Sequence, residues 1–194
     1  MTAAITANGV GVGIWMEGCF KRPKAHEHFR LDEISRVTSA QLDGLGQLVD
    51  AVEDSGGRLF ILDASKHRIL ITDRRLHLLG QFGRRGKGAG EFIEPVSIGA
   101  FAGGEIAVLD RSLRRVVILA VREDGRSIAQ LSSVELTIPN PESMCALKQR
   151  DLLIYGLYNG ARLHVFDLKG HLLRSFGSAN SDLSPNRAKC LDSG

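Results

Sequence analysis

The chain has 194 residues, of which 43% are hydrophobic and 24% are charged, and this composition excludes a disordered tail, a collagen-like fibre and a disulfide scaffold. The formal net charge is only +3, so we do not expect a dedicated nucleic-acid binder, which usually carries a stronger basic excess. The 22 glycines and 5 prolines are typical of a β-rich chain with many tight turns.

Residues 1–27 are predicted to be a poorly ordered leader or linker ahead of the main domain, which we place at residues 28–194. The apolar run at residues 9–16 lacks a preceding Lys or Arg and a following small-residue cleavage site, so the sequence predicts no clear signal peptide. No run approaches 18 consecutive apolar residues, so no membrane-spanning helix is expected. The three cysteines are widely separated and match no zinc-binding spacing.

An internal repeat with a period of 47 residues runs through the rest of the chain, which is the sequence signature of a repeat architecture. One arginine begins the equivalent segment of each copy: Arg68, Arg115 and Arg162. Asp63 recurs as Asp110, whereas the third copy has Leu157 at the same gapless spacing. The first and third copies also match at a distance of 94 residues: Asp73 with Asp167, His77 with His171, and Phe82 with Phe176.

Each copy divides into short strands, which in the first copy are predicted at residues 48–52, 57–63, 68–73 and 77–83. The second strands are apolar at successive positions, so both of their faces must be covered. We therefore predict an all-β fold, a β-propeller of four-stranded antiparallel blades. The sequence places blades at about residues 48–83, 95–136 and 143–177, with part-blade strands at about residues 29–37 and after residue 177.

The first copy and its connector, residues 57–98, also carry a family resemblance. The motif consists of Asp63, His67-Arg68-Ile69, Phe82-Gly83, the glycine-rich segment Gly86-Lys87-Gly88-Ala89-Gly90-Glu91-Phe92, and Pro95. This pattern resembles an NHL repeat, and residues 28–177 as a whole are similar to bacterial six-bladed propellers of that class. The resemblance implies the propeller fold and an extracytoplasmic location, because many such proteins are exported.

The length of the chain does not suit a complete ring of this kind. At 47 residues per blade the chain holds about four periods, whereas a ring of six such blades needs roughly 280 residues. An open ring leaves two apolar blade faces uncovered. We therefore expect an incomplete propeller, either truncated or completed by another chain or by self-association.

The candidate binding residues are basic. Because Arg68, Arg115 and Arg162 begin equivalent strands, we expect them around one rim, where they could bind an anionic ligand. The most basic loop, containing Arg84, Arg85 and Lys87, is a further candidate for contact with an acidic partner. The alternative is structural: the three strand-start arginines would pair with nearby carboxylates or loop carbonyls, and the loop would be a solvated connector.

The sequence favours a non-catalytic propeller that binds a protein or small ligand at a rim, with no cofactor. No Ser-His-Asp or Cys-His arrangement and no metal-ligand cluster stands out, so no catalytic residue is predicted. Two alternatives stay open. One is a propeller hydrolase or lyase with Ca or Zn at the central channel, for which the axis-nearest strands offer only the carboxylate of Asp50. The other is nucleic-acid binding through the basic loops.

Overall fold

The computed structural model describes residues 2–8, 11–17, 36–122 and 124–178. In these ranges the chain is all-β, apart from one short 3-10 helix at Ser39–Leu42. The strands form one three-stranded sheet and three four-stranded sheets, and each strand pairs antiparallel with its neighbours. The predicted fold class is thereby confirmed.

The three-stranded sheet consists of β1 (Thr2–Asn8), β2 (Gly11–Glu17) and β3 (Arg36–Val37). The first blade consists of β4 (Leu48–Glu53), β5 (Leu59–Asp63), β6 (Arg68–Thr72) and β7 (Leu78–Phe82). The second blade consists of β8 (Pro95–Ala100), β9 (Glu105–Asp110), β10 (Arg115–Val121) and β11 (Ile128–Glu135). The third blade consists of β12 (Ser143–Ala146), β13 (Leu152–Tyr158), β14 (Ala161–Phe166) and β15 (Leu172–Ser178).

The first strands of the sheets lie next to one another, as the inner strands of a propeller do. Strand β1 contacts β4, β4 contacts β8, and β8 contacts β12. Within the described part of the chain the ring is not closed. Of the two predicted part-blade strands, the first contributes only β3, and residues 29–35 and 179–194 lie outside the described residues. Strands β1 and β2 fall in the segment expected to be a leader, and the division of the chain at residue 28 stays a prediction.

Burial on both sides explains why the second and third strands of the first blade are continuously apolar. All five residues of β5 and all five of β6 are buried. Successive side chains of a strand point to opposite faces. Phe60 and Leu62 therefore pack against the second blade, whereas Leu59 and Ile61 pack on the other side, around Leu42. A blade between two neighbours has no solvent face in these strands.

The gapless repeat holds between the first two blades but is wrong in the third. In the second blade Leu109 is paired with Val116, whereas in the third Tyr155 is paired with Leu163. Strand β13 is thus shifted by one residue relative to β14, and the hairpin between them contains a bulge.

As a result Gly156, and not Leu157, takes the strand-end position of Asp63 and Asp110. A Cβ atom at Gly156 would lie 2.9 Å from the carbonyl oxygen of Asn140. Because the connector occupies this space, no side chain fits there, and the aspartate is lost from the third copy.

Candidate functional site

The six predicted basic residues lie on one rim of the propeller. We define the connector rim by the connectors at residues 38–47, 83–94 and 136–142 and the hairpins at residues 64–67, 111–114 and 159–160. Strands β6, β10 and β14 begin at this rim, and β7 ends there. The opposite rim carries the remaining hairpins, at residues 54–58, 73–77, 101–104, 122–127, 147–151 and 167–171.

Arg68 is held inside the protein by carboxylates and a carbonyl group. The residue is only 7% exposed. Its guanidinium group donates to the side chains of Asp43 and Gln81, to the backbone oxygen of Asp43 at 2.8 Å, and to Asp63 at 3.5 Å. These contacts tie the connector at residues 38–47 to the first blade. The geometry matches the structural alternative for this arginine.

Asp63 is the acceptor at the centre of the same network. Its carboxylate accepts hydrogen bonds from the backbone amides of Gly46 and Gln47, both at 3.1 Å, and from the Ser65 hydroxyl at 3.0 Å. Burial alone raises the pKa of Asp63. The hydrogen bonds from Gly46, Ser65, Gln47 and Lys66 outweigh this effect, so the pKa lies below its ordinary value.

Arg115, at the start of β10, holds the basic loop in place. Its guanidinium group donates to three backbone oxygens of the loop, those of Lys87 at 3.3 Å, Gly88 at 3.2 Å and Glu91 at 2.8 Å. Gln130 adds a contact from the outer strand of the second blade, because its side-chain oxygen accepts the amide of Gly90 at 2.8 Å. The loop is therefore anchored to β10 and β11.

Glu91 folds the loop around its own carboxylate. It accepts a hydrogen bond from the Gly88 amide at 2.9 Å and from Arg84 Nε at 2.8 Å, and these bonds lower the pKa of Glu91. A Cβ atom at Gly86 would lie 2.1 Å from this carboxylate, so a larger residue at this position would displace the Glu91 side chain. Glu91 belongs to the glycine-rich motif of the sequence, but the motif alone does not predict that its carboxylate organises the loop.

Arg85 and Lys87 are the basic side chains that remain available on this loop. Both residues are exposed, and neither side chain has a hydrogen bond or ion pair with any described residue. Arg84 differs, because it is paired with Glu91. The anchored backbone thus presents two free cations at the connector rim.

Arg162 belongs to the third blade and lies apart from this loop in the fold. Its Nη1 atom lies 3.4 Å from the Tyr155 hydroxyl, which is a weak contact. Of the three strand-start arginines, Arg115 is the one whose described hydrogen bonds reach the basic loop.

A second polar group lies where the inner strands meet. Asp50 on β4 accepts hydrogen bonds from the Ser97 hydroxyl and the Ile98 amide of β8, both at 2.9 Å. Ser97 in turn accepts the Met144 amide of β12 at 3.3 Å. Asp50 and Ser97 are 47 residues apart, so the repeat spacing could have predicted that these positions meet. Among the described residues no group of three His, Cys, Asp or Glu side chains is arranged to hold a metal ion.

Burial raises the pKa of Asp50, although the hydrogen bonds from Ile98, Ser97 and Ala51 partly oppose this effect. A raised pKa in the folded state means that stability falls as the pH rises from the unfolded value, about 3.9, through the folded one. We therefore expect the free energy of unfolding of Asp50→Asn to rise relative to that of the wild type between pH 4 and pH 7, measured by urea unfolding.

Asp124→Asn is the matched control for this titration. Hydrogen bonds from Ser127 and from the Arg126 amide lower the pKa of Asp124 to about 2, so its titration lies below the same pH range. The difference in the free energy of unfolding between Asp124→Asn and the wild type should stay constant from pH 4 to pH 7. If the difference in the free energy of unfolding between Asp50→Asn and the wild type were also constant over this pH range, the expected titration of Asp50 would be contradicted.

Histidines of the first and third blades form the same local structure at the opposite rim. Asp73 accepts the backbone amide and the Nδ1 side of His77, and Asp167 does the same with His171. The match of these residues at a spacing of 94 residues thus reflects a repeated turn.

None of the helices in the described part of the chain has the length and apolar character of a membrane span.

Comparisons with known proteins identify the fold alone. No family model and no curated protein matches the chain. A Bacteroides fragilis protein described as exported is 19% identical with a TM-score of 0.56, over 69% of this chain and 38% of that one. Virginiamycin B lyase from Staphylococcus aureus is 12% identical with a TM-score of 0.54, over 92% of this chain and 55% of that one. The Swd1 β-propeller domain of Myceliophteria thermophila is 16% identical with a TM-score of 0.50, over 73% of this chain and 48% of that one. The chain therefore spans between about two fifths and just over half of the length of these structures.

Proposed function

We propose that this chain is a non-catalytic propeller of the NHL type that binds an acidic segment of a protein partner at the connector rim. The observation that carries the proposal is the exposed, unpaired state of Arg85 and Lys87 on a loop whose backbone is anchored. An anchored loop loses little conformational entropy when it binds, so its two charges are available at low cost. The six-bladed form that the NHL resemblance implies stays a prediction.

An acidic peptide fits this surface better than a phosphate-rich backbone does. Arg85 and Lys87 form a small patch. Two acidic residues at the C-terminal end of the loop limit its positive field, since Glu91 pairs with Arg84 and Glu94 pairs with Arg111. A nucleic-acid surface usually offers a longer basic stripe. Charge complementarity of this modest kind favours a short carboxylate-bearing segment.

The test measures the binding of a fluorescent deca-glutamate peptide by anisotropy at low salt. The double variant Arg85→Glu/Lys87→Glu should weaken binding at least ~10-fold, because two attractive charges become repulsive. The control is Arg122→Glu/Arg126→Glu, which makes the same change in net charge at two exposed arginines of the opposite rim. The control should retain binding. Equal losses in both variants, or no binding by the wild type, would refute the proposal.

A single-stranded RNA probe in the same assay separates the nucleic-acid alternative. At the same salt concentration the affinity for the RNA should be lower than that for the peptide. RNA binding that is tighter, and falls steeply with salt, would favour the alternative function.

The hydrolase or lyase alternative is supported only by likeness of fold to virginiamycin B lyase. At the meeting point of the inner strands both oxygens of Asp50 already accept hydrogen bonds from Ala51, Ser97 and Ile98. Stoichiometric Ca or Zn together with turnover of a lactone would establish this alternative.

A further inference from the structure

The outer strand of the third blade exposes apolar side chains that its repeat counterpart covers. Leu173 is 52% exposed and Phe176 is 44% exposed on β15. Their counterparts 94 residues earlier, Leu79 and Phe82 on β7, are partly buried against the core between the first and second blades. The ring of Phe82 also packs edge-to-face on Phe92 of the connector, with centroids 6.5 Å apart.

The difference is confined to the face that would meet a following blade. Leu78 and Leu172 are counterparts as well, and both are nearly equally exposed, at 38% and 39%. By contrast Ile69, which is paired with Phe82, has no exposed surface, whereas its counterpart Leu163, paired with Phe176, is only partly buried. Leu173 and Phe176 are therefore the apolar residues of a blade-to-blade interface, but no described blade covers them.

We propose that a second copy of this chain covers this face, with its three-stranded sheet seated head to tail on the third blade. Within the chain the first blade packs face to face on the second, and the second blade packs in the same way on the third. The same packing can therefore be repeated between the third blade of one copy and the first sheet of another. The three-stranded sheet is the one sheet without a preceding neighbour among the described elements. This inference does not depend on the proposed function of the connector rim.

A two-fold pair of chains forms this junction twice and can close the ring. Such an assembly contains six four-stranded blades and two three-stranded sheets, and propellers typically have four to eight blades. The 73% of this chain that matches the Swd1 propeller domain covers 48% of that domain, so two matched parts together have about the length of one propeller. At roughly 800 Å² per junction, the two together reach the size of a standard stable interface.

The test is the mass of the full chain in solution, measured by sedimentation equilibrium over a range of concentrations. We expect a dimer for the wild type. Leu173→Asp should raise the dissociation constant of the dimer at least ~100-fold, because it places an unpaired carboxylate in an apolar junction. The control is Leu131→Asp on β11, since Leu131 is similarly exposed, at 54%, but lies on another blade.

Circular dichroism confirms that each variant remains folded. A folded Leu173→Asp monomer together with a dimeric Leu131→Asp supports the proposal. A wild-type monomer at every concentration, a polydisperse open assembly, or equal dissociation of both variants overturns it. If Leu173→Asp does not fold, the milder Leu173→Ser is measured in its place against Leu131→Ser, with the same criteria.

Discussion

Replacing Asp63 by alanine is expected to lower the free energy of unfolding by about 2–4 kcal/mol. The carboxylate has no exposed surface and accepts hydrogen bonds from two amides of the 38–47 connector and from Ser65. Its loss leaves the Gly46 amide without this acceptor, whereas the Gln47 amide keeps the Ser65 hydroxyl. Arg68, which is 7% exposed, has one carboxylate fewer. Arg68 keeps its ion pair with Asp43, so the cost is that of the hydrogen bonds lost with the buried carboxylate and of one contact to Arg68 at 3.5 Å. Urea unfolding at pH 7 measures the effect.

Asp110→Ala provides the matched control, because it removes the repeat-equivalent carboxylate. Asp110 accepts the amides of Ile93 at 2.8 Å and Glu94 at 3.1 Å, but no arginine is bonded to it. The expected loss is therefore smaller, about 1–3 kcal/mol. Equal losses at the two positions would contradict the role assigned to Arg68.

The pH dependence of the Asp63 variant follows from the direction of its pKa. Because the folded-state pKa is lowered, the stabilisation is fully present above the unfolded value, about 3.9, and is lost as the pH falls through the folded value. The free energies of unfolding of the wild type and of Asp63→Ala should therefore differ most at neutral pH and become more similar as the pH falls into the acid range.

The sequence predicted the fold because the repeat and the burial pattern reinforce each other. Strands with runs of consecutive apolar residues, such as β5 and β6, require neighbours on both faces, and the period of 47 residues indicates that the neighbours are copies. The register of the third blade could not be predicted in the same way. The strand end of β13 is shifted by one residue and Gly156 lies there against the connector at Asn140, and such a tertiary contact leaves no periodic signal.

The sequence located the rim but could not separate structural from available cations. Arg68 and Arg85 carry the same charge and lie 17 residues apart, yet the first is enclosed by Asp43 and Asp63 and the second has no partner in the described chain. Asp43 lies 25 residues from Arg68 and outside the repeat motif. The pairing therefore depends on how the 38–47 connector returns to the first blade, and this is a property of the tertiary structure.

Replacing Phe92 by alanine is expected to cost about 3–5 kcal/mol of stability and also to weaken binding at the connector rim. The side chain has no exposed surface and lies in the core between the first and second blades, with Ile98 and Ile106. Its backbone closes the basic loop, since the Phe92 amide donates to the Arg84 oxygen at 2.8 Å and its own oxygen accepts the Gly86 amide at 3.1 Å. A cavity at this position removes packing from both blades and loosens the segment that presents Arg85 and Lys87.

Two comparisons separate these effects. Phe92→Leu keeps most of the buried volume, so we expect it to lose less than half as much stability as Phe92→Ala and to keep the binding of the deca-glutamate peptide. Leu131→Ala, at an exposed position of β11, should change stability by no more than about 0.5 kcal/mol. If Phe92→Ala unfolded at the wild-type urea concentration, the Phe92 ring would not hold the two blades together. If instead it lost stability but bound the peptide with unchanged affinity, the rigidity of the loop would have to come from Arg115 and Gln130 alone.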